Sequence, residues 1–309
     1  MEQDDRLSAL ACLAAVEPQS VPRSLLRQCV LFPRIVGALD GLVPLGAGRE
    51  AEVFLRPDGS VLKLMRSPDH RLRVEREAAA LRTLAGPRHL APRLHEVVTV
   101  DGRPGLVAER IVGTDLMSLL TGSPWLFLRA ATAMATTHAA MHECQAPASL
   151  PQLNDELRQR IELAPILRTD LASYALDVLD GLPAGDRLCH GDFHPGNMMG
   201  TWETLAVIDW GDASRGDPLA DVARTELLHR LAAPPPGTPA AFRALVVMGR
   251  SLFARRYLAV YRTARPVDSG ELRRWLIVRV AARFIEGIEE EFDTLTAFLE
   301  KQRRHRSVV

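Results

Sequence analysis

The stretch His190-Gly-Asp-Phe-His-Pro-Gly-Asn197, with Leu205-Ala-Val-Ile-Asp-Trp-Gly-Asp212 shortly after it, constrains this chain more than any other part. Asp192 and Asn197 stand five residues apart on a loop whose glycines and proline restrict the backbone. Asp209 follows twelve residues after Asn197, at the end of the apolar run Leu205–Ile208. Three oxygen-bearing side chains thus belong to one loop-and-strand block, Leu188–Asp212, inside a region that otherwise reads as helix. An acidic turn before a hairpin is the plain alternative.

The rest of the chain divides around this block. Residues 1 to about 40 carry apolar positions at Leu7, Leu10, Leu13 and Val16, a break at Glu17-Pro18, and a second run at Leu25, Leu26, Cys29 and Val30, which predicts a helical extension. Residues 41–112 are strand-rich. The segments Leu45–Leu55 and Val61–Met65 flank the turn Arg56-Pro-Asp-Gly-Ser60, and His95–Val100 and Leu106–Ile111 flank Asp101-Gly-Arg-Pro-Gly105, so two hairpins are expected. Arg71–Leu84 between them has helical spacing and a stop at Ala85-Gly-Pro. Residues 113–309 read as helices over 125–143, 153–180, 217–232, 240–264 and 269–300. The expected class is α+β, with an extension over 1–40, a small strand-rich lobe over 41–112 and a larger helical lobe over 113–309, joined near Glu109–Gly113.

Charge and composition exclude several classes. The 38 basic and 38 acidic residues cancel, which argues against a general nucleic-acid binder. No apolar run approaches the roughly 20 residues that cross a bilayer, and the acidic start Met1-Glu-Gln-Asp-Asp-Arg6 is unlike a secretory signal. A cytoplasmic protein without nucleic-acid or membrane partners is expected, as a monomer or homodimer. Cys12, Cys29, Cys144 and Cys189 form no CxxC pair, so they read as small core residues.

Two further features bear on chemistry. Gly46-Ala-Gly48-Arg-Glu-Ala51 continues into a strand, where a dinucleotide-binding turn would continue into a helix, and no Gly-Lys-Ser/Thr follows. A flap over phosphates and an ordinary glycine turn both remain open. Lys63 is one of only two lysines among the 38 basic residues, and it alternates with Leu62 and Leu64 on a predicted strand. Such a lysine ordinarily faces solvent, but a compact ammonium also suits a phosphate pocket better than a planar guanidinium. Its partner carboxylate is expected from the next helix, Glu77 first and Glu75 second.

One carboxylate to orient an acceptor hydroxyl, with an amide and a second carboxylate for a hard cation, is the donor set of phosphoryl transfer. His190–Asn197 resembles the HGDxxxxN catalytic loop of the aminoglycoside phosphotransferase and choline kinase group. Ile208-Asp-Trp-Gly-Asp-Ala-Ser-Arg-Gly-Asp-Pro-Leu-Ala-Asp221 is similar to that group's metal-binding aspartate and its Gly-Asp-Pro…Asp signature. The resemblance spans approximately Leu42–Thr225. It implies a bilobal protein-kinase-like fold with a small antiparallel sheet and one main helix in the N-lobe and a mainly helical C-lobe. It further implies Asp192 as catalytic base, Asn197 and Asp209 as Mg2+ ligands, Lys63 on the ATP phosphates paired with Glu77, Gly46 and Gly48 in the nucleotide loop, and a hinge at Glu109–Ile111 whose backbone meets the base. Asp217 and Asp221 look structural by the same resemblance. Arg49-Glu50 departs from the small or hydroxyl residues of many relatives, and no His-Arg-Asp, Asp-Phe-Gly or Ala-Pro-Glu segment is present, which favours a small-molecule over a protein substrate.

The expected reaction is transfer of the γ-phosphate of ATP, with GTP as the alternative nucleotide, to a hydroxyl of a small molecule. An aminoglycoside-type antibiotic leads as acceptor, ahead of choline, homoserine or sugar, and a regulator without turnover is the remaining reading. The acidic run Glu286, Glu289, Glu290, Glu291 and Asp293 would attract a polycationic acceptor if it lines that site, and is otherwise a solvated helix face. His138 and His142, one helical turn apart, lack an evident third metal ligand and read as packing residues.

Overall fold

The computed structural model describes residues 41–86, 89–233 and 240–306, so the helical extension expected over 1–40 lies outside the described residues. The strand-rich part is a five-stranded antiparallel sheet of β1 (Val43–Ala47), β2 (Ala51–Leu55), β3 (Val61–Met65), β4 (Leu94–Val100) and β5 (Arg103–Ala108), in the order β1-β2-β3-β5-β4. Alternation along β3 sends Leu62 and Leu64 to one face, where they cluster with Val98, Val100 and Val107. Met65 joins the main core with Val74 and Leu81 of helix α1 (Arg71–Thr83). Lys63 lies on that same face, beneath α1. The second hairpin is tighter than the sequence suggested. Asp101 and Gly102 both have positive φ, 50° and 77°, and this two-residue turn lets β5 begin at Arg103.

The remainder is mainly helical: α2 (Leu116–Gly122), α3 (Phe127–Met141), α4 (Leu153–Glu162), α5 (Thr169–Asp180), α6 (Pro218–Arg230), α7 (Ala240–Ala264), α8 (Ser269–Arg283) and α9 (Phe292–Arg306). Five short strands, β6 (Thr114–Asp115), β7 (Arg187–Cys189), β8 (Met198–Gly200), β9 (Ala206–Val207) and β10 (Ser214–Gly216), frame the Leu188–Asp212 block. Two expected helices are in fact pairs. The run 153–180 breaks between Glu162 and Thr169, around Pro165, which cannot donate to a helical ladder. The run 269–300 breaks after Arg283, where Gly287 adopts a left-handed φ of 68° between two 3-10 turns, Phe284–Glu286 and Glu289–Glu291. The acidic run is therefore a pair of turns, not a helix face.

Helix α6 is the centre of the helical part. Every residue from Leu219 to Leu227 is buried, so polar members of that stretch must find partners inside the protein. α8 packs along it, with Trp275 fully buried. No helix among the described residues is long and apolar enough to cross a membrane. α6 starts on a side-chain cap, the Asp217 carboxylate accepting from Leu219 N–H at 2.7 Å, with Pro218 in the first turn. Asp217→Ala is expected to lower stability by about 1 kcal/mol, read as a lower urea midpoint at unchanged m-value.

Candidate active site

β7 pairs antiparallel with β10, Cys189 opposite Ser214, and so closes the base of the block that holds the candidate residues. The chain then turns sharply at Gly191, whose φ is 85°; a Cβ there would lie 2.5 Å from the Asp212 carbonyl oxygen, so no other residue fits. His190 spans the block. Its Nδ1 accepts from Asp192 N–H at 3.2 Å while Nε2 faces the Ile208 carbonyl at 3.0 Å, an arrangement that requires the proton on Nε2. Pro195–Asn197 forms one 3-10 turn with the His194 ring accepting from Gly196 N–H. Ile208 N–H donates to the Asn197 carbonyl at 2.9 Å, which sets Asp209 beside Asn197. Asp209 itself has a φ of 63°, a left-handed conformation that costs a non-glycine residue energy and is concentrated at functional sites.

The structure brings Lys63, Glu77 and Asp209 together. Lys63 Nζ donates to Glu77 Oε2 at 2.7 Å and to Asp209 Oδ1 at 2.9 Å, so a strand of the sheet reaches the loop of the helical part. Glu75, the second choice, instead pairs with Arg71 on the outside of α1. Burial opposes the Lys63 charge, but the Asp209 and Glu77 carboxylates outweigh it and raise its pKa, so the ammonium stays protonated. The Lys63 ammonium in turn holds the Asp209 carboxyl down at about 2. Asn197 Nδ2 donates to the Asp192 carbonyl at 3.0 Å, which turns its Oδ1 away from that bond. Asn197 Oδ1 and the Asp209 carboxylate are hard oxygen donors on segments joined by the Ile208–Asn197 backbone bond, a donor chemistry that suits Mg2+.

Around the glycine turn, neither Gly46 nor Gly48 has a positive φ, and an added Cβ would meet nothing within 4 Å at Gly46 and only Ala51 O at 3.6 Å at Gly48. Folding does not demand these glycines; what they keep clear is the space outside the turn. Glu50 is tied down by Arg73 Nε at 2.8 Å, and Arg73 also grips both oxygens of Asp212 at 2.9 and 3.1 Å. At the hinge, Glu109 N–H donates to the Arg93 carbonyl at 2.8 Å, and Ile111 follows two residues later, half-buried.

Asp192 is held from α6. Asp221 accepts from His190 N–H at 2.6 Å and Gly191 N–H at 2.9 Å. Arg224 donates to Asp192 Oδ1 at 3.0 Å, and the Thr225 hydroxyl donates to the Phe193 carbonyl at 2.9 Å. Residues one turn apart on a single helix face thereby grip four successive residues of the loop. Burial would raise the Asp192 carboxyl, but Arg224 and then His194, 3.4 Å from Oδ2, hold it well below the usual carboxylate range. Sequence reasoning missed Arg224, Thr225 and Arg73. The usable signal was the i+3 and i+4 spacing of Arg224 and Thr225 from Asp221; Arg73 had none.

His138 and His142 do acquire a third neighbour, since Asp221 Oδ2 lies 3.2 and 3.5 Å from their Nε2 atoms. The group is fully buried, each Nδ1 is bonded to a tyrosine hydroxyl (Tyr257 at 2.6 Å, Tyr261 at 2.7 Å), and Asp221 already serves the loop. Its chemistry is that of a hydrogen-bonded anchor. The acidic run divides. Glu286 is ion-paired with Arg160 (2.9 Å), Arg224 (2.8 Å) and Arg283, and Glu291 is gripped by two nitrogens of Arg283. Only Glu289 and Glu290 of the glutamates in this run are exposed. The expectation that Glu286 offers a charge to an acceptor is corrected: three guanidiniums already meet it.

A cleft between a five-stranded sheet and a helical body, with a lysine–glutamate pair above and an Asp…Asn…Asp set below, defines a protein-kinase-like phosphotransferase. Residues 41–259 match the phosphotransferase enzyme family (APH), and the chain belongs to that family, as a small-molecule kinase. Among solved structures it is similar to APH(2″)-IIa in its ternary complex with streptomycin and ATP, at 20% identity and a TM-score of 0.54 over 80% of this chain and 86% of that one. It is likewise similar to a protein assigned as a fructosamine-3-kinase from Haemophilus somnus 129PT, at 15% identity and a TM-score of 0.52 over 84% and 88%. None of the curated proteins compared matches the sequence.

Burial first, then the neighbouring His142, push His138 down from 6.5 to about 3. The unfolded chain therefore binds a proton that the folded one refuses, and stability falls as pH drops through about 6.5 towards 3. Urea titrations across that window should show the loss, and His138→Gln should reduce it while the buried His142 and His229, whose pKa values burial also lowers, retain the rest.

Proposed function

We propose that the protein transfers the γ-phosphoryl group of MgATP to a hydroxyl of a small amino sugar, with aminoglycosides as the leading acceptors. The observation that carries the reading is the meeting of Lys63 with Asp209 at 2.9 Å, beside Asn197 and Asp192. It sets an ammonium against a carboxylate on the loop that also carries Asn197 and Asp192, the donor types that phosphoryl transfer needs. Lys63, kept protonated and aimed by Glu77, neutralises phosphate oxygens; the open glycine turn gives the phosphates room; and the Glu109 carbonyl with the Ile111 N–H offers the adenine edge its two bonds. Mg2+, when bound by Asn197 and Asp209, supplies positive charge to the phosphoryl oxygens. Asp192 accepts a hydrogen bond from the acceptor hydroxyl and orients it. With its charge stabilised by Arg224, it works chiefly by direction and takes the hydroxyl proton as the oxygen–phosphorus bond forms and the bond from Pγ to the β–γ bridging oxygen breaks, releasing ADP.

Two similarities favour an amino sugar: one relative in the fold was solved with streptomycin, and another is assigned as a fructosamine kinase. The exposed Glu289 and Glu290 are the carboxylates open to an acceptor ammonium. A metabolic sugar, choline or homoserine kinase is the competing reading, and acceptor-dependent ATP consumption separates them.

In that assay, Asp192→Asn is expected to lower kcat by roughly two to four orders of magnitude with KM for ATP nearly unchanged; an unchanged kcat removes Asp192 from the mechanism. Joint reversal of Glu289 and Glu290 to lysine should raise KM for a cationic acceptor but not for ATP. If neither constant moves, these turns do not border the acceptor.

A further inference from the structure

The α6 ladder contains one contact that loop-fixing does not explain. Asp221 and Thr225 bond the backbone of His190, Gly191 and Phe193, which is enough to fix the loop's path. Arg224 alone reaches a side chain, Asp192 Oδ1 at 3.0 Å. It does so at a cost: Arg224 is 9% exposed, and its Nε–H is buried without a hydrogen-bond partner. The guanidinium leaves one donor unmatched so that Nη1 and Nη2 can each meet a different carboxylate, Glu286 at 2.8 Å and Asp192 at 3.0 Å. Glu286 is itself fixed by Arg160 and Arg283, which anchors the far end of the bridge in α4 and α8. Oδ2 lies 3.4 Å from His194 Nε2, and the Asp192 side chain keeps 32% exposure, so the carboxylate stays open to solvent with lone pairs to spare.

We infer that Arg224 is a positioning residue for phosphoryl transfer, holding the Asp192 carboxylate in its acceptor-facing orientation, and that Glu286 serves the reaction by anchoring Arg224 and does not bind the acceptor. This rests on the reading of Asp192 as the group that orients the acceptor hydroxyl. A planar fork is needed for the bridge, since a lysine at 224 presents one compact charge and cannot span two carboxylates in fixed directions. The groups that this reading gives to the nucleotide lie elsewhere, on Lys63 with its partner Glu77 and on Asp209, and none of them contacts Arg224, so ATP binding is expected to be independent of the bridge.

The test is a kinetic cycle on the full chain. Arg224→Met should lower kcat about 10²-fold, the scale of a misplaced reacting group, with KM for ATP unchanged. Arg224→Lys should recover part of the loss, and it provides a folded variant should Met at this buried site unfold the protein. In an Asp192→Asn background Arg224→Met should cost nothing further, because it acts through that carboxylate; an equal loss in both backgrounds would assign Arg224 a structural role only. Glu286→Gln should reduce kcat and leave acceptor KM alone, whereas a raised acceptor KM at constant kcat would overturn the anchoring role. A crystal structure of Arg224→Met or Arg224→Lys gives an answer that needs no turnover. A carboxylate at Asp192 rotated from its present direction supports the inference, and one unmoved in both variants overturns it. Absence of acceptor-dependent turnover in the wild type would count against the phosphotransfer reading, with the crystal structure still deciding the bridge.

Discussion

The Asp221 carboxylate, 0% exposed, receives two backbone N–H groups of the catalytic loop and faces two imidazoles and a guanidinium. An isolated buried carboxylate would cost many kcal/mol, and this one is retained because nearly every lone pair has a donor. Burial alone would raise its pKa; His138 and His142 reverse that and hold it well below the ordinary value, so it remains an anion. The negative charge at the centre of α6 is thus the fixed point from which His190 and Gly191 are placed. Asp192, Asn197 and Asp209 inherit their positions through short backbone bonds.

Around that point, the two parts of the molecule are joined by charge as much as by apolar packing. Lys63 and Arg73 both leave the strand-rich part to meet carboxylates of the loop, Asp209 and Asp212. Both pairs are partly open to solvent, with the Asp209 side chain 51% and the Asp212 side chain 37% exposed, so screening makes each weaker than a buried pair and their value lies in direction more than in energy. The site and the junction between the parts are therefore built from the same residues.

Most of the candidate site's donor set is visible in the sequence because its members are local. Asp192, Asn197 and Asp209 fall within one short segment, and Lys63 and Glu77 are separated by one strand end and two helical turns. Periodicity also gave the face of β3 correctly. What was hidden depends on contacts between distant segments. Arg224 meets Glu286 across 62 positions and Arg73 meets Asp212 across 139; the spacing of Arg224 from Asp221 marks its helix face but not these partners, and nothing local marks Arg73. The acidic run falls within the stretch 269–300 that reads as one helix; the single left-handed residue Gly287 breaks it, and ion pairs to Arg283 of α8 turn Glu286 and Glu291 inward. The role of Asp221 followed from family resemblance, but its histidine partners did not, since one turn of spacing fits a packing helix and a polar anchor equally well.

The two turns after α8 carry a consequence for how this edge of the scaffold can change. Arg283 holds Glu286 on one turn and Glu291 on the next, so both ends of the segment are pinned to one guanidinium while Glu289 and Glu290 between them stay at the surface. Substitutions at the two surface positions alter charge without disturbing the pins. Insertions or deletions in the same few residues would shift one pin against the other, and through Glu286 and Arg224 that displacement ends at Asp192. Variation along this edge is therefore channelled into side-chain identity, while its length is held constant by the chain of ion pairs that runs from Arg283 through Glu286 and Arg224 to Asp192.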